Sequence, residues 1–139
     1  MRKINFVLFM CFIGTLVHAQ NRDFDGIWTG KLTTSAGNTL DVTLYIEDNN
    51  VYNVGVDEDG DRIKLTDKNV SWSKGYGEQL NYVWMNKGGV WTETQAYFMV
   101  WSNKDTLSVY FTRHVSNESE EFDGNTDWGY TAEGYLHRE

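Results

Sequence analysis

The stretch from Val90 to Trp101 holds the side chains of this sequence that are best suited to chemistry. Alternate positions carry three large aromatic rings, a carboxylate and an amide, namely Trp91, Glu93, Gln95, Tyr97 and Trp101. Successive side chains of a β-strand point to opposite faces, so these five residues share one face. Such rings stack on a sugar or another flat molecule while polar groups bond its edge. The spacing predicts a ligand-binding face, and the alternative is an aromatic-rich solvent face or a partner interface.

Glu93 is also the best candidate for a catalytic acid. Glycan hydrolysis needs a second carboxylate at a fixed distance across the scissile bond. Asp41 and Glu47 lie on the polar face of another predicted strand, and nothing in the sequence places either of them opposite Glu93. A glycan hydrolase using Glu93 is therefore the weakest functional hypothesis, and we expect a protein that is not an enzyme and has no catalytic residue.

Two loops carry oxygen ligands at alternating positions, as calcium sites do. They are Asp57, Asp59 and Asp61 in the first loop and Asp123, Asn125 and Asp127 in the second. An EF-hand is excluded, because its sixth position should be glycine and is Arg62 or Trp128, and no helices are predicted on either side. Ordinary acidic turns are the favoured interpretation, and Asp123, Asn125 and Asp127 remain weak calcium candidates.

Other cofactor chemistry has little support in the sequence. Beyond residue 19 the histidines are His114 and His137 and there is no cysteine, so a zinc site of the Cys/His kind lacks ligands. There is no Gly-x-Ser-x-Gly motif for a nucleophilic serine. The glycine pairs lie in predicted turns without a following helix that would bind phosphate. We expect no metal and no cofactor.

The amino terminus has the three parts of a secretory signal peptide. Arg2 and Lys3 precede an apolar run, Ile4 to Val17, and a small-residue cleavage site ends at Ala19. The run is shorter than the roughly 20 apolar residues that cross a bilayer. We therefore expect residues 1–19 to be removed, leaving residues 20–139 as one secreted or periplasmic domain with no membrane segment.

Cleavage would also change the charge and the redox chemistry of the chain. The single cysteine, Cys11, would leave with the signal peptide, so the mature domain could form no internal disulfide. Of 12 basic and 20 acidic residues, Arg2 and Lys3 would also leave. The resulting acidic excess disfavours binding to nucleic acid or to anionic lipid.

The rest of the sequence predicts strands that would position these residues. Leu40, Val42, Leu44 and Ile46 alternate with polar residues, which is the period of a half-buried strand. Nine such runs follow one another, separated by turns rich in Gly, Asn and Asp, and no segment keeps a helical period. This pattern predicts an all-β, antiparallel up-and-down meander of eight or nine strands that closes as a barrel, with a β-sandwich as the alternative.

The first predicted strand carries Gly26-Ile27-Trp28, which resembles the Gly-x-Trp signature of the calycin barrels, the lipocalin and avidin type. The resemblance implies an antiparallel barrel that holds a small molecule, with Trp28 closing one end and Gly26 beside it. It also implies that a basic residue from late in the chain packs against this tryptophan, and Arg113 and Arg138 are the candidates.

These observations favour an extracytoplasmic, non-enzymatic binding protein. Its partner would be a small hydrophobic or aromatic molecule, or a glycan, bound on the face of Trp91, Glu93, Gln95, Tyr97 and Trp101. The alternative is a secreted or envelope protein-interaction module, an inhibitor or a structural component, that binds an extracytoplasmic protein. Its motivation is the acidic stretch from Ser116 to Asp127 and the surplus of aromatic residues.

Overall fold

The computed structural model describes residues 22–65, 70–117 and 126–139. The predicted signal peptide, Cys11, Asp123 and Asn125 lie outside the described residues. Those three ranges contain nine strands and no helix, and hence no helix long and apolar enough to cross a lipid bilayer. The strands are β1 Gly26–Thr34, β2 Thr39–Glu47, β3 Asn50–Val56, β4 Arg62–Leu65, β5 Val70–Tyr76, β6 Gln79–Gly88, β7 Trp91–Asn103, β8 Thr106–Asn117 and β9 Trp128–Arg138.

All nine strands belong to one antiparallel sheet with the order β4-β3-β2-β1-β9-β8-β7-β6-β5. Strands that follow one another in the chain are paired, except that β4 and β5 form the two edges. The first strand pairs with the last, from Trp28 opposite Arg138 to Thr34 opposite Ala132. The sheet curls into a half-barrel. The predicted all-β meander is confirmed, whereas the sandwich alternative would need two sheets and the described strands form one.

The alternation in β2 explains how the sheet acquires its two faces. Leu44 and Ile46 are fully buried on the concave face, and Val42 is also buried there. On either side of this stripe, Asp41 and Glu47 are exposed and pair with Lys31 at 2.5 Å and Lys64 at 2.6 Å. An apolar stripe at period two can be buried by curling the sheet around it.

Tight turns set the register of the hairpins. Asp48 and Asn49 both have positive φ, 51° and 61°, and join Glu47 to Asn50 by a two-residue connection. Two positive φ angles are the mark of the type I′ turn, whose twist matches the flanking strands. The β5–β6 turn is equally short, because Gly75 and Tyr76 belong to β5 and only Gly77, with φ 61°, and Glu78 lie between the strands.

One end of the half-barrel is closed by aromatic packing, and we call it the closed end: Phe24, Trp28, Trp101 and Arg138. The Trp28 ring is fully buried and its Nε1 donates to the Phe24 carbonyl at 2.7 Å. Trp101 meets both Phe24 and Trp28 edge to face. The Arg138 guanidinium lies 4.7 Å from the Trp28 ring centre. Trp28 thus lies at this end of the half-barrel, with the Arg138 guanidinium against its ring.

Candidate functional site

The concave face of the half-barrel holds an open cavity of about 430 Å³, which we call the interior cavity. Pockets for small molecules commonly span about 300–1,000 Å³. Its lining comes from β2, β3, β4, β7, β8 and β9: Leu40, Asp41, Val42, Thr43, Asn53, Val54, Leu65, Gln95, Tyr97, Phe111, Arg113 and Tyr130. The lining thus mixes apolar and aromatic side chains with five polar or charged ones.

The interior cavity opens where the sheet loses continuity. The β2–β3 ladder begins at the turn and ends at Leu44 opposite Asn53. Beyond that pair, residues Leu40 to Thr43 remain bonded to β1, while Val54 pairs with Lys64 of β4. Leu40 to Thr43 and Val54 all line the cavity, so the separation of β2 from β3 forms its lateral opening.

A polar cluster, Glu93, Gln95 and Arg113, forms the wall of the cavity that β7 and β8 supply. Glu93 is only 7% exposed. Its Oε1 accepts a hydrogen bond from Gln95 Nε2 at 2.7 Å and lies 2.7 Å from Arg113 Nε. The Nε–H of Arg113 is not aimed along that vector, so the contact is an ion pair more than a directed hydrogen bond. The carboxylate holds both neighbours from behind, because Gln95 and Arg113 line the cavity and Glu93 does not.

Arg113 is fixed by its other neighbours as well. Its guanidinium carbon lies 4.9 Å from the Trp128 ring centre, a cation–π distance. Burial lowers the pKa of Arg113, but the close contacts with the Glu93 carboxylate and the Tyr130 phenol outweigh burial and raise that pKa on balance. The guanidinium therefore stays protonated and is held in one orientation at the cavity wall.

Aromatic rings form a row across four strands, in which Tyr97, Phe111 and Tyr130 line the floor of the cavity and Tyr82 continues the row into the core. Tyr82 and Tyr97 are stacked at 5.7 Å, Tyr97 and Phe111 are 4.6 Å apart, and Phe111 and Tyr130 are 5.9 Å apart. Burial raises the pKa of Tyr82 to about 12. Burial, followed by the neighbouring Tyr82 and Tyr130, also raises the pKa of Tyr97. Both phenols are therefore neutral hydrogen-bond donors at neutral pH.

The structure separates the five residues of the predicted ligand-binding face. All five point to the concave side, but only Gln95 and Tyr97 line the interior cavity, with Glu93 behind them. Trp91 packs over the β6–β7 turn, where a Cβ on Gly88 would lie 2.6 Å from the ring. Trp101 belongs to the closed end. The 13-residue length of β7 spreads one face of the strand over both ends of the half-barrel.

Arg113 and Tyr130 were missing from the predicted site. Arg113 sits in a run of β8 in which alternate residues are otherwise apolar, Leu107, Val109, Phe111 and Val115, all of them buried. A charge at an inward position of such a run is costly unless it is paired, and this signal could have singled out Arg113. Tyr130 reaches the site only because β9 pairs with β8, where it stands opposite Arg113.

A glycan hydrolase would need a second carboxylate beside Glu93, and the two acids considered for that role were Asp41 and Glu47. The contacts of the Glu93 carboxylate in the described part of the chain are Gln95 and Arg113, and neither is an acid. Asp41 lies exposed at the edge of the interior cavity and pairs with Lys31, whereas Glu47 is exposed and pairs with Lys64. Hydrolysis requires a second acid, and the positions of these two residues give the hydrolase hypothesis no support.

The acidic loops show turn chemistry in their described parts. Asp57 Oδ1 accepts from the backbone N–H groups of Asp59 and Asp61 at 3.1 and 2.8 Å, so that carboxylate closes its own turn. Asp127 Oδ1 accepts from Ser116 Oγ and from the backbone N–H of Asn117. Across residues 22–65, 70–117 and 126–139, no group of three acidic, histidine or cysteine side chains is arranged to hold a metal ion.

A second concavity, the outer groove, lies on the convex side over β7, β8, β9 and β1. Its volume is about 640 Å³, and its lining includes Phe98, Val100, Tyr110, Glu133 and Tyr135. The four apolar side chains are 39–55% exposed, and the rings of Phe98 and Tyr110 are 6.2 Å apart. Exposed rings grouped in this way are a feature of interaction surfaces.

Comparison with known proteins gives no relative on which these sites could be mapped. The chain matches no protein-family model, no curated protein and no solved structure.

Proposed function

We propose that this domain is a non-enzymatic binding protein that holds a small molecule with an aromatic or apolar body and a polar edge in the interior cavity. The observation that carries the proposal is a polar cluster, held in place by its own contacts, beside a row of aromatic rings in one cavity. Tyr97 and Phe111 offer ring surface to the body of a ligand. Gln95 and Arg113 offer fixed polar groups to its edge, which is the usual division of labour in small-molecule pockets.

Features outside the cavity support a finer description of the fold and of the place where the protein acts. The meander, the pairing of β1 with β9 and the Arg138–Trp28 contact support a calycin-like barrel of the lipocalin or avidin type as the finer description of the fold. The predicted signal peptide favours action outside the cytoplasm, in the periplasm or beyond the cell. A glycan of one or two rings is an alternative ligand, because sugars also stack on tyrosine rings and bond to arginine and glutamine.

A fluorescence titration tests the proposal. N-phenylnaphthylamine, a neutral aromatic dye that brightens in apolar surroundings, should bind saturably to the mature domain. Asn53→Trp places a large ring in the cavity opening and should weaken dye binding about tenfold or more. Ser108→Trp, which adds the same ring to the exposed outer face, is the matched control and should leave binding unchanged.

Two outcomes would contradict the proposal. One is the absence of saturable dye binding by a folded domain, and the other is binding that Ser108→Trp weakens while Asn53→Trp does not. Native mass spectrometry of the protein purified from its own host would then identify the natural ligand, which should be absent from the Asn53→Trp variant.

The outer groove favours a second candidate function, an interaction module for an extracytoplasmic protein. Its exposed rings, Phe98, Tyr110 and Tyr135, lie together in this groove, and aromatic residues are enriched at protein interfaces. Tyr110→Asp with Tyr135→Asp should abolish association with a partner identified by cross-linking and leave dye binding in the interior cavity intact. Association that survives this double substitution would contradict this candidate.

A further inference from the structure

The polar cluster contains a balanced pair of charges at the cavity wall. Glu93 is the one charged residue that is buried among the described residues, and its carboxylate oxygen lies 2.7 Å from Arg113 Nε. Gln95 Nε2 donates to the same oxygen at 2.7 Å. The negative charge of Glu93 is thus paired with Arg113 and Gln95 inside the protein. The carboxylate itself does not line the cavity.

The positive charge is the part of the pair that faces the cavity. Arg113 lines it, whereas Glu93 lies behind. An unpaired guanidinium at that place would bind a carboxylate, a sulfonate or a phosphate strongly, because arginine matches the geometry of such anions. With Glu93 in contact behind Arg113, an incoming anion is attracted by the guanidinium and repelled by the carboxylate, and the repulsion offsets much of the attraction. The anion would still lose its hydration on entry, which is costly.

We propose that Glu93 is a specificity-determining residue, which cancels the charge of Arg113 so that the interior cavity accepts an uncharged ligand and rejects an anionic one of the same shape. This inference rests on the proposed function of the cavity. The preferred ligand is a neutral ring compound with a carbonyl, hydroxyl or ether oxygen, which accepts a hydrogen bond from Arg113 or Tyr130 without a net charge of its own. Glu93 acts through Arg113 and Gln95, and hence as a positioning residue.

Two dyes that differ by one charged group provide the test. N-phenylnaphthylamine is neutral, and anilinonaphthalene sulfonate has the same rings with an added sulfonate. The wild-type domain should bind the neutral dye about tenfold more tightly or better. Glu93→Gln keeps the size and an acceptor oxygen but removes the charge. It should strengthen sulfonate binding about tenfold and change binding of the neutral dye by less than about threefold.

Control variants distinguish an effect of the Glu93 charge on dye binding from an effect on folding. Glu133→Gln removes a carboxylate from the outer face and should leave both affinities unchanged. Glu93→Gln combined with Arg113→Gln should lose the gain in sulfonate binding, because the released cation is gone. Near-ultraviolet circular dichroism and one-to-one stoichiometry establish that the sulfonate dye reports a folded site. If Glu93→Gln does not fold, the comparison of the two dyes on the wild-type domain decides alone.

The outcomes distinguish this inference from the proposal on which it rests. Wild-type protein that binds neither dye overturns the proposed function and this inference with it. Wild-type protein that binds both dyes equally, or a folded Glu93→Gln variant whose sulfonate affinity does not rise, overturns the role of Glu93 alone and leaves the binding function standing.

Discussion

Arg138 illustrates how a single side chain near the carboxyl terminus organises the closed end. Its Nη1 and Nη2 donate to the backbone carbonyls of Asp25 and Asp23 at 2.6 and 2.7 Å. The same guanidinium lies over the rings of Trp28 and Trp101. Arginine suits this position because its planar fork serves two acceptors while its face stacks on an aromatic ring.

We predict that Arg138→Ala lowers the free energy of unfolding by about 2–4 kcal/mol, because two charged hydrogen bonds and the cation–π contact are lost together. Arg138→Lys should be intermediate, since an ammonium cannot donate in a planar fork. Arg62→Ala is the control, because Arg62 forms an exposed ion pair with Glu139 and such pairs contribute no more than about 1 kcal/mol. Urea unfolding followed by tryptophan fluorescence measures all three. Equal losses for Arg138→Ala and Arg62→Ala would contradict the role assigned to Arg138.

At the scale of whole elements, the important asymmetry lies between edge and central strands. β4 and β5 each pair with a single neighbour, β3 and β6, whereas β1, β7, β8 and β9 have partners on both sides. Each edge strand carries a lysine, Lys64 or Lys74, and lysine on an edge discourages pairing with another chain. The lateral opening of the interior cavity also lies on the β4 side of the half-barrel, between β2 and β3.

We predict that this asymmetry appears in hydrogen exchange. Amides of β4 and β5 should exchange first, because opening an edge strand breaks a single ladder and few buried contacts. Amides of β1, β8 and β9 should exchange last, with rates lower by about tenfold or more. Exchange followed by mass spectrometry of peptides from each strand measures the order, after correction for intrinsic rates. Protection in β5 equal to that in β8 would mean that β5 has a second partner.

At the scale of the whole molecule, the described residues are held together by packing, since residues 22–139 contain no cysteine. The buried set that unites the strands combines aliphatic residues with the rings of Trp28, Tyr82, Tyr97 and Phe111. Two of these rings carry phenols whose pKa is raised by burial. The stability of the domain is therefore tied to pH on the alkaline side.

The sign of this dependence follows from which state binds the proton more tightly. The phenolic pKa is about 10 in an unfolded chain, and in the folded domain that of Tyr82 is about 12. The resulting contribution to stability is complete below about pH 10 and is lost as the pH rises toward the folded value. We predict that the free energy of unfolding falls between about pH 10 and 12.

Substitution of the buried phenols should weaken this fall. Tyr97→Phe and Tyr82→Phe remove the titrating group and should flatten the profile, whereas Tyr135→Phe, at an exposed tyrosine, should not. Urea unfolding at a series of pH values provides the measurement. An unchanged slope in the Tyr82→Phe/Tyr97→Phe double variant would show that other groups govern alkaline unfolding.

The local part of this structure could be predicted from the sequence alone. The period of two in β2 and β7, the turns rich in Gly, Asn and Asp, and the absence of any helical period determined an all-β meander, because each signal is set by residues adjacent in the chain. The alternation also placed Trp91, Glu93, Gln95, Tyr97 and Trp101 on one face correctly.

Only the tertiary structure decided which of these residues meet. Arg113 reaches Glu93 because the register of β7 and β8 sets Arg113 opposite Gln95, and Tyr130 joins them through the register of β9. Trp101 lies at the closed end and Trp91 lies over the β6–β7 turn, because a strand of 13 residues extends past any single site. Register and curl come from contacts between residues far apart in sequence, and these are the quantities that local alternation does not contain.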